Sequence, residues 1–106
     1  MLFYVQMKWN YQGRLSQRQL LELEAIEGQH GLEGLRSGVV KALYKVASQH
    51  RVIAIVDVPS AADLDNNSMF RLPMREYLEF EAVWALRDYE EFINAINVEL
   101  GSQQKN

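Results

Sequence analysis

Residues 2–9, LFYVQMKW, alternate Phe3, Val5, Met7 and Trp9 with Tyr4, Gln6 and Lys8, the period of a half-buried strand. Ser16 followed by Gln19 makes a capping box, and the strong helix formers after it predict a first helix from about Ser16 to about Leu35. Gly28, Gly31 and Gly34 weaken its second half and mark either close packing or an early break. From Val39 to Ala47, Val40, Ala42, Tyr44 and Val46 alternate with Lys41, Leu43 and Lys45, giving a strand with one apolar and one mixed face. RVIAIVDV, residues 51–58, is apolar almost throughout, as a central strand is, and pairs with its predecessor in a hairpin through Ser48 to His50. Pro59, Ser60 and Asp63 signal a short second helix that ends before Leu72-Pro73. From Tyr77 to Leu86 the residues Leu78, Phe80, Ala82, Trp84 and Leu86 alternate with Glu79, Glu81 and Val83, a fourth strand. Asp88 and Glu91 open a last helix with a stripe of Tyr89, Phe92, Ile93, Ile96 and Leu100, before the polar tail GSQQKN.

Strand, helix, strand, strand, helix, strand and an added helix is an α+β order, the ferredoxin-like split βαβ sandwich. Residues 1–86 make that unit, and residues 87–106 add a C-terminal helix and tail. Two helices cover one face of such a sheet and leave the other bare, so a homo-oligomer is expected.

Composition narrows the function classes. A net charge of -3 offers no broad positive field for a nucleic acid backbone or an anionic membrane. With no cysteine there is neither disulfide nor thiolate chemistry, and two histidines, His30 and His50, are too few for a histidine-rich metal site. The N-terminus lacks a signal-peptide pattern and no segment has the roughly 20 apolar residues of a membrane span, so the expected location is the cytoplasm. No P-loop, dinucleotide fingerprint, G-x-S-x-G elbow or H-E-x-x-H motif is present, and nothing implies a cofactor.

At 100° per residue, Glu27 and His30 share the stripe of helix one that carries Leu20, Leu23 and Ile26. An inward carboxylate reads either as a satisfied ion pair with Lys8, Lys41 or Lys45, or as a base whose pKa burial raises for proton abstraction from carbon. His30 reads as a hydrogen-bonded edge residue or as a substrate contact. Lys41 and Lys45 read as a solvated strand face or as point charges for an anionic substrate. Tyr4, Tyr44, Tyr77 and Trp84 read as core or as pocket lining.

A family resemblance weighs on these alternatives. MLFYVQM, LELEAIEGQ, VKALYKVAS and above all VDVPSAADLDNNSMFRLP with YLEFEAV are similar to stretches of bacterial muconolactone isomerases, in order and nearly without gaps over residues 1–83. The resemblance implies a subunit of the dimeric α/β barrel type, a homo-oligomer, and a cofactor-free intramolecular oxidoreductase of aromatic-compound catabolism. Such an enzyme moves a double bond by a 1,3-proton shift in a small unsaturated lactone acid, an anionic substrate. The family's helix-one glutamate falls on Glu27, implying the catalytic base, and its two arginines fall on Lys41 and Lys45. Tyr4, Tyr44 and His30 complete the expected substrate contacts. The clamp is rewritten, however: Ala42, Tyr44, Gln49, His50 and Val52 replace family histidine, tryptophan, histidine, tyrosine and asparagine.

Three functions follow, each with its own structural signature. An inward Glu27 beside an enclosed pocket with a lysine nearby fits the isomerase. A wholly apolar pocket without Glu27 fits a cofactor-independent oxygenase or cyclase. A filled core with Glu27 locked to a lysine fits a non-catalytic ligand-binding or assembly protein.

Overall fold

Local signals in the chain set the element boundaries. Ser16 Oγ accepts the Gln19 N–H at 3.1 Å and Gln19 Oε1 accepts the Ser16 N–H at 2.9 Å, closing the capping box that starts the first helix. Gly38, at φ 84°, ends that helix in the left-handed conformation that favours glycine. Ser60 caps the second helix by accepting the Asp63 N–H at 3.1 Å. The computed structural model describes residues 1–104. Their order is β1 (Leu2–Trp9), α1 (Gln17–Ser37), β2 (Val40–Lys45), β3 (Arg51–Asp57), α2 (Ala61–Phe70), β4 (Leu78–Leu86) and α3 (Tyr89–Gln104). The strands form one antiparallel sheet in the order β2-β3-β1-β4, so the fold is α+β and ferredoxin-like. Among the described residues no helix is long and apolar enough to cross a membrane.

Two β-bulges overturn part of the expected alternation. In β2, Val40 stands opposite Val56 but Ala42 opposite Ile55, which leaves Lys41 as the extra residue. Past it the faces exchange: Leu43 and Lys45 pair with Ala54 and Val52, on the side covered by α1, and Ala42 and Tyr44 turn to the other side. In β4 the register steps from Gln6↔Ala82 to Met7↔Phe80, which makes Glu81 the extra residue. Leu78 and Phe80 therefore lie with Val83 on the helix side, whereas Trp84 faces away and stacks on Tyr4, with ring centroids 5.0 Å apart.

On the helix side, Phe3, Val5, Trp9 and Ala54 are buried, and Trp9, Leu20 and Met74 form a core cluster packed by Tyr11, Leu23, Val52, Tyr77 and Leu78. Helix α1 does not break at its glycines; it runs through them because they lie against β2. A Cβ on Gly31 would stand 2.9 Å from Leu43 Cδ2, and one on Gly34 would stand 2.6 Å from Val40 Cγ2. Gly34→Ala should thus be destabilising, by about 1 kcal/mol once the helix preference of Ala is set against overpacking. At Gly28 an added Cβ meets nothing within 4 Å, so Gly28→Ala should be stabilising, by up to about 1 kcal/mol. Denaturant midpoints moving in opposite directions for the two variants check this.

The opposite sheet face is uncovered and carries Tyr4, Ile53, Ile55, Ala42 and Trp84, with an Arg51–Glu81 ion pair of 2.8 Å. Helix α3 starts where Asp88 Oδ2 accepts the Glu91 N–H at 3.1 Å. It extends away from the sheet, giving the chain a length of 66 Å against widths of 25 and 23 Å. It also runs further than expected, taking in Gly101 to Gln104 of the polar tail; Lys105 and Asn106 lie outside the described residues. Of its apolar stripe, Tyr89, Phe92 and Leu100 are exposed.

Candidate active site

Helix α1 packs on the Trp9 cluster at Leu20 and against β2 at Gly31 and Gly34, and between it and the sheet lies a cavity of about 300 Å³. The cavity walls are mostly apolar: Met7, Trp9, Leu43, Val52, Ala54 and Leu78 from the sheet, and Leu72 from the segment after α2. Five polar side chains border it, Glu24, Glu27, His30, Tyr44 and Lys45.

Glu27 is half-buried on the α1 wall. Its Oε2 accepts the main-chain N–H of Met74 at 3.1 Å, which ties helix α1 to the segment between α2 and β4. That segment is itself fixed, because Tyr77 N–H donates to Met74 O at 2.8 Å and Arg14 Nη1 donates to Glu76 O at 2.8 Å. No lysine or arginine pairs with Glu27 among the described residues. Burial pushes its pKa up, and the Met74 N–H and His30 partly offset that rise. A carboxylate held by a single neutral N–H beside an apolar space is suited to taking a proton from a carbon acid.

The expected site residues divide. Glu27, His30, Tyr44 and Lys45 border one cavity, although Tyr44 is 68% exposed and its register partner, Ile53, is on the uncovered face. Lys41 does not border it, because the bulge removes that residue from the regular alternation. Tyr4 is on the far side of the sheet, its hydroxyl donating to Gln6 Oε1 at 2.9 Å. Neither Lys41 nor Tyr4 lines this cavity. Lys45, from the face read as solvated, extends along Trp9, with Nζ 6.0 Å from the ring centroid and bonded to Val46 O at 2.9 Å.

Sequence reasoning passed over Glu24. It lies about 40° from Leu20 on the helical wheel, at the edge of the packed stripe and on the opposite side of Leu20 from Glu27, so the signal was there but weaker. Ile26, placed in that stripe, is instead 58% exposed. Burial raises the pKa of Glu24, and the positive fields of Lys45 and His50 oppose the shift. His50 is held by Tyr11, whose hydroxyl lies 3.1 Å from its Nε2. Among the described residues, no group of three or more His, Asp or Glu side chains is placed to hold a metal ion.

The model of the muconolactone delta-isomerase family matches residues 1–91, the whole ferredoxin-like unit and the start of α3. The chain belongs to that family. Its fold is similar to the crystal structure of muconolactone isomerase, with a TM-score of 0.70 and 27% sequence identity over 83% of this chain and 90% of that one. Against curated protein sequences the chain has no significant match. Family and fold together support an isomerase in general terms, and they leave helix α3 beyond residue 91 outside the family match.

Proposed function

We propose that this protein is a cofactor-free isomerase that moves a double bond by a 1,3-proton shift in a small unsaturated lactone or related ring compound, with Glu27 as the base. The observation that carries this reading is the Glu27 carboxylate, half-buried at an apolar cavity and bound by one main-chain N–H. In the reaction, Glu27 takes a proton from one end of the three-carbon allylic unit. The C–H electron pair moves into the ring to give a dienolate, and the protonated carboxyl returns the proton at the other end. Lys45 and His30, at the same cavity, oppose the negative charge that develops on the ring. An ion-paired Glu27 in a filled core would have favoured the non-catalytic reading, and a cavity without a carboxylate would have favoured the oxygenase; neither is the arrangement here. The test is solvent-deuterium incorporation into a panel of unsaturated lactones: incorporation at both ends of the allylic unit is expected, and none across the panel would reject an isomerase.

We further propose that the uncovered sheet face is buried between copies of the chain. Trp84, 60% exposed, together with Tyr4, Ile53 and Ile55, makes an apolar face. A homo-oligomer should follow, with a mass by light scattering at micromolar concentration of at least twice the 12.3 kDa of one chain. Trp84→Glu, which places a charge on that face, should shift the mass toward the monomer.

A further inference from the structure

The charges around the cavity bear on which ring compound it accepts, a question that rests on the isomerase reading above. Two carboxylates, Glu24 and Glu27, border the space from α1, and Lys45 is its one permanently charged cation among the described residues. The second expected cation, Lys41, is displaced by the β2 bulge. Lys45 is also not free: its Nζ already donates to Val46 O and stands 6.0 Å from the Trp9 ring centroid, and it faces the same cavity as Glu24. A substrate carboxylate entering here would therefore meet two negative groups and one engaged ammonium, with only the exposed His30 and Tyr44 side chains as further polar contacts on otherwise apolar walls.

We propose that the cavity selects an uncharged, largely apolar cyclic ester or ketone over one that carries a free carboxylate. Charge conservation during the reaction favours the same choice. When Glu27 takes a proton from a neutral ring, one negative charge moves from carboxylate to dienolate and the total within the cavity does not change. With an acid substrate, an additional negative charge would be present from binding to release, in a space where apolar walls strengthen repulsion. The chemistry of the cation points the same way, since the Lys45 ammonium lacks the planar fork with which an arginine would match a carboxylate.

The experiment uses a saturated γ-lactone bearing an acetic acid side chain, and its methyl ester. Neither compound can isomerise, so calorimetric titration at neutral pH reads binding alone. The ester should bind the full-length protein at least about tenfold more tightly than the acid. Glu24→Gln, which keeps shape and removes one negative charge, should improve binding of the acid by about tenfold and leave that of the ester within about twofold. Equal or tighter binding of the acid, failure of both compounds to bind, or an unchanged acid affinity in Glu24→Gln would each overturn the proposal. If the ester preference holds while no unsaturated lactone exchanges deuterium, the isomerase reading falls and the charge selection stands.

Discussion

Glu27→Gln lowers solvent-deuterium exchange into a responsive unsaturated lactone by about 10² to 10⁴-fold, the range contributed by a general base. Gln keeps the length of the side chain, and its carbonyl oxygen accepts the Met74 N–H as Glu27 Oε2 does, so the seat is preserved while the basic oxygen is lost. The folded protein binds the Glu27 proton more tightly than the unfolded chain does, because burial raises its pKa. This group therefore favours the native state below the ordinary carboxylate value, and the advantage is lost as pH rises through the raised value. At neutral pH the Glu27→Gln variant, which has no charge to bury, should accordingly be as stable as the parent or slightly more so. In the parent, the acid limb of the rate profile should lie above the ordinary glutamate range, and in the Glu27→Gln variant that limb should vanish with the activity. Equal exchange by the two proteins, at matched fold and mass, would remove Glu27 from the mechanism.

Met74→Ala has the largest expected effect on stability, and it reaches the site as well. Met74 is fully buried and packs in one cluster with Trp9 and Leu20, so truncation should cost about 2 to 5 kcal/mol. The same residue presents the N–H that seats Glu27, and its side chain is what pins the segment between α2 and β4 to the core. Loosening that segment lets the carboxylate drift from its position, so kcat should fall further than KM changes, in protein that is still folded at the assay temperature. Met74→Leu, which conserves volume, should cost less than about 1.5 kcal/mol and keep most of kcat. Denaturant melts paired with steady-state kinetics make the comparison. A destabilised Met74→Ala protein with unchanged kcat would mean that the seat of Glu27 does not depend on the core beneath it.

Much of this architecture is legible in the residues. The caps at Ser16 and Ser60, the period-two run in β1 and the apolar run in β3 each place an element close to its observed bounds. What a period-two reading cannot see is an inserted residue. At Lys41 and Glu81 one extra residue reverses every side chain that follows, which moves Lys45 to the cavity side and Trp84 away from the helices. Weighing side-chain apolarity alone draws the α1 stripe too far toward Ile26. Gly31 and Gly34, which pack the helix against β2, have no side chain to weigh, yet they fix where the packed face is centred. With the stripe centred on them and on Leu20, Glu24 falls at its edge, on the opposite side of Leu20 from Glu27. The expected end of α3 falls too early because GSQQ reads as polar tail, whereas an exposed helix needs no apolar residue to continue.

The hydrogen bond that holds Glu27 comes from the main chain, and this shapes how readily the site can be redesigned. The partner group itself is main chain, so no polar side chain has to be retained to bind the carboxylate, provided that Met74 or a residue of like volume keeps the segment packed. Of the walls that shape the cavity, Met7 and Leu43 lie outside the Met74 cluster, whereas Val52 and Leu78 pack against it. A combinatorial library randomised at Met7 and Leu43 would alter the volume and contour presented to a ring while the reactive group stayed where it is. The molecule thus offers directed evolution a fixed base inside a replaceable mould, and new ring specificities should emerge from it without the base having to be rebuilt.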